Sequence, residues 1–222
     1  LAAGTGTHPG VHELLTRALL PTPPAQEVPV PRPALEFFNG LGGFTEAGQE
    51  YVIVIGARQQ TPAPWINVIA NPSFGFVVSE SGSGYTWCGN SHENQLTPWF
   101  NDPICDPPGE VIYVRDEETG ETWCPTPLPI REDTPYVCRH GQGYSRFEHS
   151  SHDIGLTLVQ FVAREDPVKI SRLIVANRSR RKRTLTVTAF AEWVLGPSRS
   201  AGAPFIVTSL DQSSGAIFAR NP

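Results

Sequence analysis

Proline and glycine occur throughout this 222-residue chain, and this distribution limits the fold more than any other feature of the sequence. There are 22 prolines and 20 glycines. Because proline breaks a helix interior and glycine favours tight turns, many short elements joined by turns are expected. After Leu20 no stretch shows the hydrophobic period of an amphipathic helix. The sequence therefore predicts an all-β fold of antiparallel strands, either a sandwich or a barrel.

Apolar runs and period-two alternation mark the expected strands. They are Tyr51–Ala57, Trp65–Ala70, Phe74–Glu80, Glu110–Arg115, Glu121–Cys124, Gly143–His149, Ile154–Val162, Val168–Asn177, Lys182–Leu195, Phe205–Ser209 and Ala216–Arg220. Neighbouring strands with short turn sequences between them are interpreted as hairpins. The clearest predicted hairpin joins Val168–Asn177 to Lys182–Leu195, because the second arm alternates like a half-buried antiparallel strand. On this alternation Trp193 belongs to the core.

The first 33 residues differ from the rest of the chain. Val11–Leu20 places its apolar side chains on one face, which predicts a short helix. Pro21–Pro33 contains six prolines and is expected to be an extended linker. We therefore expect residues 1–33 to form an arm and residues 34–222 to form the β domain, truncated at its C-terminal end. The chain contains no methionine, so a piece of a longer polypeptide is expected.

Composition excludes several classes of function. The net charge of -5 and a pI of about 5.7 argue against a nucleic acid as the main partner. No apolar stretch is long enough to span a membrane, and no signal peptide pattern opens the chain. The four cysteines lack C-x-x-C spacing, which argues against a zinc or redox site. Free thiols in a reducing cytoplasm are expected.

The segment Gly82–Asp106 has the densest mixture of polar and aromatic side chains. Its candidate sugar-binding residues are Trp87, Asn90, His92, Glu93, Asn94, Trp99, Asn101 and Asp102. Aromatic faces can cover a pyranose ring, while amides and carboxylates can pair with its hydroxyls. The alternative interpretation is a long surface loop whose polar groups are solvated. The residues alone leave both interpretations open.

Two further groups of charged residues have simpler explanations. The basic run from Arg178 to Arg183 could bind an anion, but its place at a predicted hairpin tip favours solvated charges. Asp102 and Asp106, with Glu93 nearby, could form the carboxylate pair of a glycoside hydrolase. Both aspartates precede a proline, so turn formation is favoured for Asp106. Asp102 is kept as a residue that contacts a substrate or another domain.

Three histidines lie between residues 140 and 152. Their spacing does not match a helical metal-binding motif, and no metal site is expected. His149 and His152 are expected at the exposed end of a strand. His140 lies between Arg139 and two glycines that allow close backbone approach to a ligand or partner.

Four motifs resemble the family-94 glycoside phosphorylases. They are LEFFNGLGGFT at 35–45, TPAPWINVIANPSFGFVVSE at 61–80, GSGYTWCGNSHENQLTPWFNDPICD at 82–106, and RHGQGYSRFEH at 139–149. The resemblance is nearest to the phosphorylase-like part of cyclic β-1,2-glucan synthases, with β-1,2-oligoglucan, chitobiose and cellobiose phosphorylases as relatives. It implies an antiparallel, galactose mutarotase-like β-supersandwich. In this family the H-G-x-G-Y stretch is a signature near the active-site side, so the resemblance makes His140 a binding candidate.

The resemblance also implies a reaction. The full enzyme would carry out inverting phosphorolysis or transfer of β-glucosyl units, with inorganic phosphate as co-substrate and no cofactor. Its general acid would lie on a helical barrel of the same polypeptide, so this chain is expected to hold no catalytic residue. The implied partners are a β-glucan or oligosaccharide and that barrel, and the resemblance admits a homodimer. The resemblance implies that this domain lies in the cytoplasm. It is also compatible with a full-length protein that is anchored in the bacterial inner membrane.

Two positions depart from the family pattern. His92 and Gln95 stand where the family has arginines, and neither keeps the bidentate fork that arginine offers to an anion. Two other functions remain as hypotheses. One is a stand-alone carbohydrate-binding module. The other is a self-contained hydrolase that uses Asp102 and Glu93.

Overall fold

The computed structural model of the chain describes residues 31 and 33–222. The predicted helix Val11–Leu20 and most of the proline-rich linker lie outside these residues. The strands are β1 (Gly42–Phe44), β2 (Glu50–Ile55), β3 (Ile66–Ala70), β4 (Phe74–Ser79), β5 (Gly84–Cys88), β6 (Glu110–Asp116), β7 (Thr122–Trp123), β8 (Tyr136–Gly141), β9 (Tyr144–Ser151), β10 (Ile154–Val162), β11 (Lys169–Asn177), β12 (Leu185–Ala191), β13 (Val207–Leu210) and β14 (Ile217–Arg220). The prediction of an all-β antiparallel fold is confirmed.

The strands form one large sheet and three small ones. The large sheet has six strands in the order β1-β2-β8-β9-β10-β11, and all its neighbours are antiparallel. The small sheets have the orders β3-β4-β5, β12-β6-β7 and β13-β14. Strands β8 to β11 follow one another in sequence, so turns and short connections build most of the large sheet.

Two apolar clusters join the sheets. In the first, Ile53 and Phe147 of the large sheet pack against Phe76 of β4. In the second, Trp123 and Val114 of the β12-β6-β7 sheet pack against Leu156 of β10. Because both small sheets cover the same large sheet, the molecule has the layered arrangement of a β-sandwich. Trp123, which the sequence left unassigned, is fully buried.

Three predicted hairpins are confirmed. β3 pairs with β4, β6 with β7, and β9 with β10. The predicted hairpin between Val168–Asn177 and Lys182–Leu195 is wrong. β11 pairs with β10 in the large sheet, whereas β12 pairs with β6 in another sheet.

A buried ion pair explains why these two strands separate. Arg183 precedes β12 and donates two hydrogen bonds to the Asp116 carboxylate at the end of β6. It also donates to the carbonyl of His152 at 2.9 Å, and both charged side chains are almost completely buried. The chain between β11 and β12 therefore crosses between sheets instead of turning back.

Strand β12 is antiparallel as predicted, but it is not half-buried. Val187 and Phe190 lie on opposite faces, and each is about half exposed, at 51% and 48%. Trp193 follows the end of the strand and is only partly buried, so its assignment to the core is wrong. The free edge of β12 has no partner strand among the described residues.

One helical segment appears where none was predicted. A one-turn helix, α1 (Arg199–Gly202), leads into a 3₁₀ turn at Ala203–Phe205. The Ser198 side chain caps α1 by accepting a hydrogen bond from the Ala201 amide. Within the part of the chain that the structure describes, no helix has the length and hydropathy of a membrane span. The four cysteines are free thiols.

Candidate functional site

Strand β5 carries the first part of the candidate site. Tyr85 and Trp87 are two residues apart and therefore project from the same face of the strand. The Tyr85 ring lies 5.2 Å from the Trp87 ring and 5.1 Å from the Trp99 ring, measured between centroids. All three rings are partly exposed. They form a continuous, partly exposed surface, which we call the aromatic platform.

The sequence interpretation missed Tyr85. The signal was present, because strand alternation puts residue 85 on the same face as residue 87. The platform also needs Gly75 on the neighbouring strand. A Cβ at Gly75 would lie 2.4 Å from the Trp87 indole, so only glycine lets this ring lie flat against β4.

The polar loop beside the platform folds on itself. The Asn90 side chain accepts hydrogen bonds from the amides of His92 and Glu93, and the Asn94 side chain donates to the carbonyl of Cys88. Asn90 and Asn94 therefore hold the loop. His92 and Glu93 hydrogen-bond to each other at 2.7 Å, with side chains 82% and 66% exposed. These two polar side chains of the loop remain available to a ligand or a neighbouring domain.

A half-buried carboxylate fixes the base of the loop. Glu110 on β6 accepts hydrogen bonds from the hydroxyls of Thr86 and Thr97, and it pairs with Lys169 at 2.6 Å. Burial alone would raise the pKa of Glu110, but the Lys169 ammonium and the two hydroxyls hold this pKa below its ordinary value. Thr86 lies between Tyr85 and Trp87, and Thr97 lies two residues before Trp99. The network around Glu110 therefore holds the two chain segments that carry the platform rings.

Asp102 shapes the end of the loop. Its carboxylate accepts hydrogen bonds from the amides of Ile104 and Cys105, as an Asx-turn does. The amide of Cys105, followed by that of Ile104, lowers the pKa of Asp102. The carboxylate therefore maintains a turn, and its interactions do not bring it to Glu93, whose partner is His92.

Asp106 lies next to the platform in a less polar setting. Its carboxylate accepts a 2.6 Å hydrogen bond from the Ser79 hydroxyl. Burial, together with the charges of Glu80 and Asp102, raises its pKa to about 6, although the Ser79 hydrogen bond opposes this shift. Turn formation does not account for such an environment, so the sequence interpretation of Asp106 as a simple turn residue was incomplete.

Asp106 and three candidate residues share one small cavity. Trp99, Asn101, Asp102 and Asp106 line a space of about 10 Å³, which holds no more than one water molecule. Trp87 and the loop residues 90–94 do not line this cavity. The structure thus groups Trp99, Asn101 and Asp102 around this cavity and connects Trp99 to Trp87 through the Tyr85 ring, while a single concave surface that includes the polar loop stays a prediction.

The raised pKa of Asp106 predicts a change of stability with pH. The folded state favours the protonated carboxyl, so this group lowers stability as the pH rises from about 4 through about 6. An Asp106→Asn variant is expected to be more stable than the parent by about 1–3 kcal/mol at pH 7.5, with little difference at pH 4. Urea unfolding at both pH values measures this. An equal gain at both would show that ionisation of Asp106 is not the cause.

His140 lies elsewhere, within the large sheet. Its Nδ1 faces the Ser145 hydroxyl and its Nε2 faces the Trp65 carbonyl, each at 2.9 Å. Burial lowers the pKa of His140, which suits a neutral ring that donates to Trp65 and accepts from Ser145. Protein groups thus occupy both nitrogens, and the structure does not bring His140 together with the polar loop.

The other two histidines surround one carboxylate. Glu132 contacts the Nε2 atoms of His149 and His152 at 2.8 and 2.7 Å. His149 is buried, so the prediction that it is exposed is wrong; its partner comes from an irregular segment that strand patterns do not reveal. Among the described residues, no group of three or more histidine, cysteine or acidic side chains could hold a metal ion.

Two of the five residues of the basic run form ion pairs with described residues of the chain. Arg183 pairs with Asp116, and Arg181 pairs with Glu118. These pairs lie where β6 and β12 meet. The geometry therefore assigns Arg181 and Arg183 a structural role.

Comparisons with known proteins identify relatives. The family model described as "Glycosyl hydrolase 94, supersandwich domain" matches residues 49–222. The chain is similar to the cyclic beta-(1,2)-glucan synthase NdvB of Rhizobium meliloti (strain 1021), with 44% identity over 189 residues that cover 85% of this chain and 7% of the relative.

Two phosphorylases show the same kind of similarity. The N,N'-diacetylchitobiose phosphorylase of Vibrio proteolyticus is 29% identical over 155 residues, covering 68% of this chain and 19% of the relative. The solabiose phosphorylase of Paenibacillus borealis is 35% identical over 159 residues, which cover 70% of this chain and 20% of the relative. The chain thus spans one fifth or less of the length of these relatives.

Proposed function

Because the chain belongs to the glycosyl hydrolase 94 supersandwich domain family, we propose that it is the carbohydrate-binding domain of a cyclic β-1,2-glucan synthase or a related glycoside phosphorylase. In the whole protein, a helical barrel of the same polypeptide would carry the general acid. The reaction would be inverting phosphorolysis or transfer of β-glucosyl units, with inorganic phosphate as co-substrate. The domain would work in the cytoplasm.

The aromatic platform is the observation that supports sugar binding. It contains three adjacent, partly exposed rings, and Trp87 and Trp99 lie at its two ends with Tyr85 between them. Pyranose rings stack on such surfaces, because their C–H faces are apolar while their hydroxyls point outward. A contiguous cluster of partly exposed aromatic side chains is a feature that sugar-binding surfaces share. The platform therefore fits a neutral β-glucan better than an anionic ligand.

The polar loop would complete the sugar site. His92 and Glu93 are exposed and offer hydrogen-bonding groups beside the platform, whereas Asn90 and Asn94 hold the loop in place. A loop residue of this kind can pair with sugar hydroxyls or with the barrel. Since His92 and Gln95 replace arginines of the family, we propose that this loop contributes to sugar binding without clamping phosphate.

A stand-alone carbohydrate-binding module is the second candidate. One observation favours it: all three platform rings belong to this chain, so stacking needs no residue from another domain. The two functions differ in what the isolated chain does. A module would bind β-glucan by itself, whereas a domain that completes a barrel site would bind far more weakly alone than together with the barrel.

Truncating the platform should weaken sugar binding. In the full-length protein, Trp99→Ala is expected to reduce the binding free energy of β-1,2-glucan oligosaccharides by about 1–3 kcal/mol, because a large aromatic contact is lost. Tyr85→Ala should act in the same direction. Titration calorimetry is the measurement.

Phe218→Ala provides the matched control. Phe218 is an exposed ring on β14 that is not one of the three platform rings, and its removal should leave affinity unchanged. If Trp99→Ala and Trp87→Ala bind as tightly as the parent while remaining folded, the platform does not bind sugar and the loop only braces a domain interface.

A further inference from the structure

A row of five paired residues crosses the sheet that carries the aromatic platform. The pairing runs from Ala70 on β3 through Gly75 on β4 and Trp87 on β5 to Gln95 and then Gly196. Residues that lie opposite each other in an antiparallel pair project from the same face of the sheet. This set, which we call the cross-strand row, therefore places the Gln95 side chain on the platform face, beside Trp87.

Gln95 and Trp87 form a close pair. Backbone hydrogen bonds lie on either side of the pair, from the Cys88 amide to the Asn94 carbonyl and from the Leu96 amide to the Thr86 carbonyl. This arrangement is that of a non-hydrogen-bonded antiparallel pair, whose Cα atoms are roughly 4.5 Å apart. Side chains approach each other most closely at such positions. The Gln95 side chain therefore begins at the edge of the Trp87 side chain.

The other members of the cross-strand row leave space around this pair. The Trp87 indole lies over Gly75, where a Cβ would come within 2.4 Å of the ring, so the indole leans toward β4 and away from Gln95. On the other side, Gly196 exchanges two backbone hydrogen bonds with Gln95. A Cβ at Gly196 would meet nothing within 4 Å. An open space therefore adjoins Gln95 on the side away from the indole.

The Gln95 amide is free to bind a ligand. The side chain is partly exposed, and none of the described residues donates a hydrogen bond to it or accepts one from it. A side-chain amide offers two N–H donors and a carbonyl acceptor. Sugar hydroxyls both donate and accept hydrogen bonds, so one amide can pair with a hydroxyl in either direction.

We propose that Gln95 determines the specificity of the sugar site by hydrogen-bonding a hydroxyl of the glucosyl unit that stacks on Trp87, and that the space over Gly196 admits the next unit. This inference rests on the proposed sugar-binding role of the platform. Stacking on an indole contributes affinity but tolerates many sugars. The amide distinguishes them, because a sugar that lacks a hydroxyl at this edge would leave a desolvated polar group unpaired.

Calorimetric titration of the full-length protein with β-1,2-glucan oligosaccharides in phosphate-free buffer tests the role of the amide. Gln95→Leu keeps most of the side-chain volume and removes the hydrogen bonds, so affinity should fall about three- to tenfold. Gln95→Ala, which adds no apolar group to the surface, should show the same loss. Gln212→Leu is the matched control, because Gln212 is an exposed glutamine in the turn between β13 and β14. It should bind like the parent.

Gly196→Val tests the open space. Gly196 is not among the glycines with a positive φ, and a Cβ there meets no atom, so this variant is expected to fold with an unchanged urea midpoint. Its side chain would occupy the volume assigned to the next glucosyl unit. Affinity for long oligosaccharides should therefore fall at least about tenfold, with a smaller effect on the disaccharide.

A double-mutant cycle tests whether Gln95 and Trp87 contact the same sugar unit. In a Trp87→Ala background the loss caused by Gln95→Leu should shrink to less than about twofold, because a unit that no longer stacks is not held against the amide. Additive losses would place the two residues on different units and would overturn the proposal.

The set of variants separates this proposal from the one on which it rests. If Trp99→Ala weakens binding while Gln95→Leu and Gly196→Val bind like the parent, the platform binds sugar but Gln95 does not determine its specificity. If Trp87→Ala and Trp99→Ala also leave affinity unchanged, the platform itself has no part in sugar binding, and both proposals are wrong.

Discussion

A Trp123→Ala variant is expected to lose about 3–5 kcal/mol of unfolding free energy, the usual cost of removing a large aromatic side chain from a core. Trp123 is fully buried and packs with Val114, Ile154 and Leu156. It therefore joins the β12-β6-β7 sheet to β10 of the large sheet. Urea unfolding, followed by far-ultraviolet circular dichroism, measures the loss.

Trp123→Phe separates packing from hydrogen bonding. The indole Nε1 is buried and has no hydrogen-bond partner among the described residues. Phenylalanine keeps most of the ring and removes this unsatisfied donor, whose burial is itself unfavourable. The expected loss is at most about 1–2 kcal/mol, which is smaller than the loss expected for alanine. A Trp123→Phe variant as unstable as Trp123→Ala would mean that the indole N–H has a stabilising partner after all.

A Gly84→Ala variant is expected to lose about 2–4 kcal/mol, because a Cβ at this position meets the backbone and not a movable side chain. The added atom would lie 1.9 Å from the Val77 carbonyl oxygen, and φ at Gly84 is +157°. Relief requires β4 and β5 to move apart. Since β5 carries Tyr85 and Trp87, the same variant should also disturb the aromatic platform, which near-ultraviolet circular dichroism of its rings would report.

Gly89→Ala is the matched control for backbone conformation. Gly89 also has a positive φ, +70°, but a Cβ there would meet nothing within 4 Å. Its expected cost is only that of the left-handed conformation, about 1 kcal/mol. If the two variants lost the same free energy, the clash with Val77 would not be the source of the Gly84 effect.

Local pattern predicted the strands well and their partners less well. β9 and β10 alternate clearly and are joined by a short turn, so both their existence and their pairing could be predicted from the sequence. The alternation of apolar and polar residues was equally clear for β11 and β12. Such alternation shows which residues share a face of a strand, but it does not show which strand is the hydrogen-bonded neighbour. The pairing depended on Arg183 reaching Asp116, 67 residues earlier in the chain.

The candidate site was also predictable only in part, since its residues could be recognised in the sequence but their surroundings could not. The two tryptophans and the polar run were visible in the sequence, and alternation could have added Tyr85. The elevated pKa of Asp106 could not be predicted, because it arises first from burial of the carboxyl and then from the charges of Glu80 and Asp102. The burial of His149 depended likewise on Glu132 in an irregular segment. The pKa or burial of a side chain that depends on residues far away in the chain cannot be predicted from local sequence, even where the residue itself is recognised as a candidate.

The pairing of β6 with β12 also has a consequence for the order of assembly. Strands β8 to β11 pair with their neighbours in sequence, so these pairings can form soon after the segment has left the ribosome. In contrast, β6 pairs with β12, which begins about 70 residues after β6 ends. Until Arg183 emerges, Asp116 has no guanidinium and one edge of β6 is open. The pairing of β2 with β8 closes a loop of similar length, so these two long-range pairings are expected to be the slow steps of folding. Before they form, a nascent chain most needs protection from aggregation.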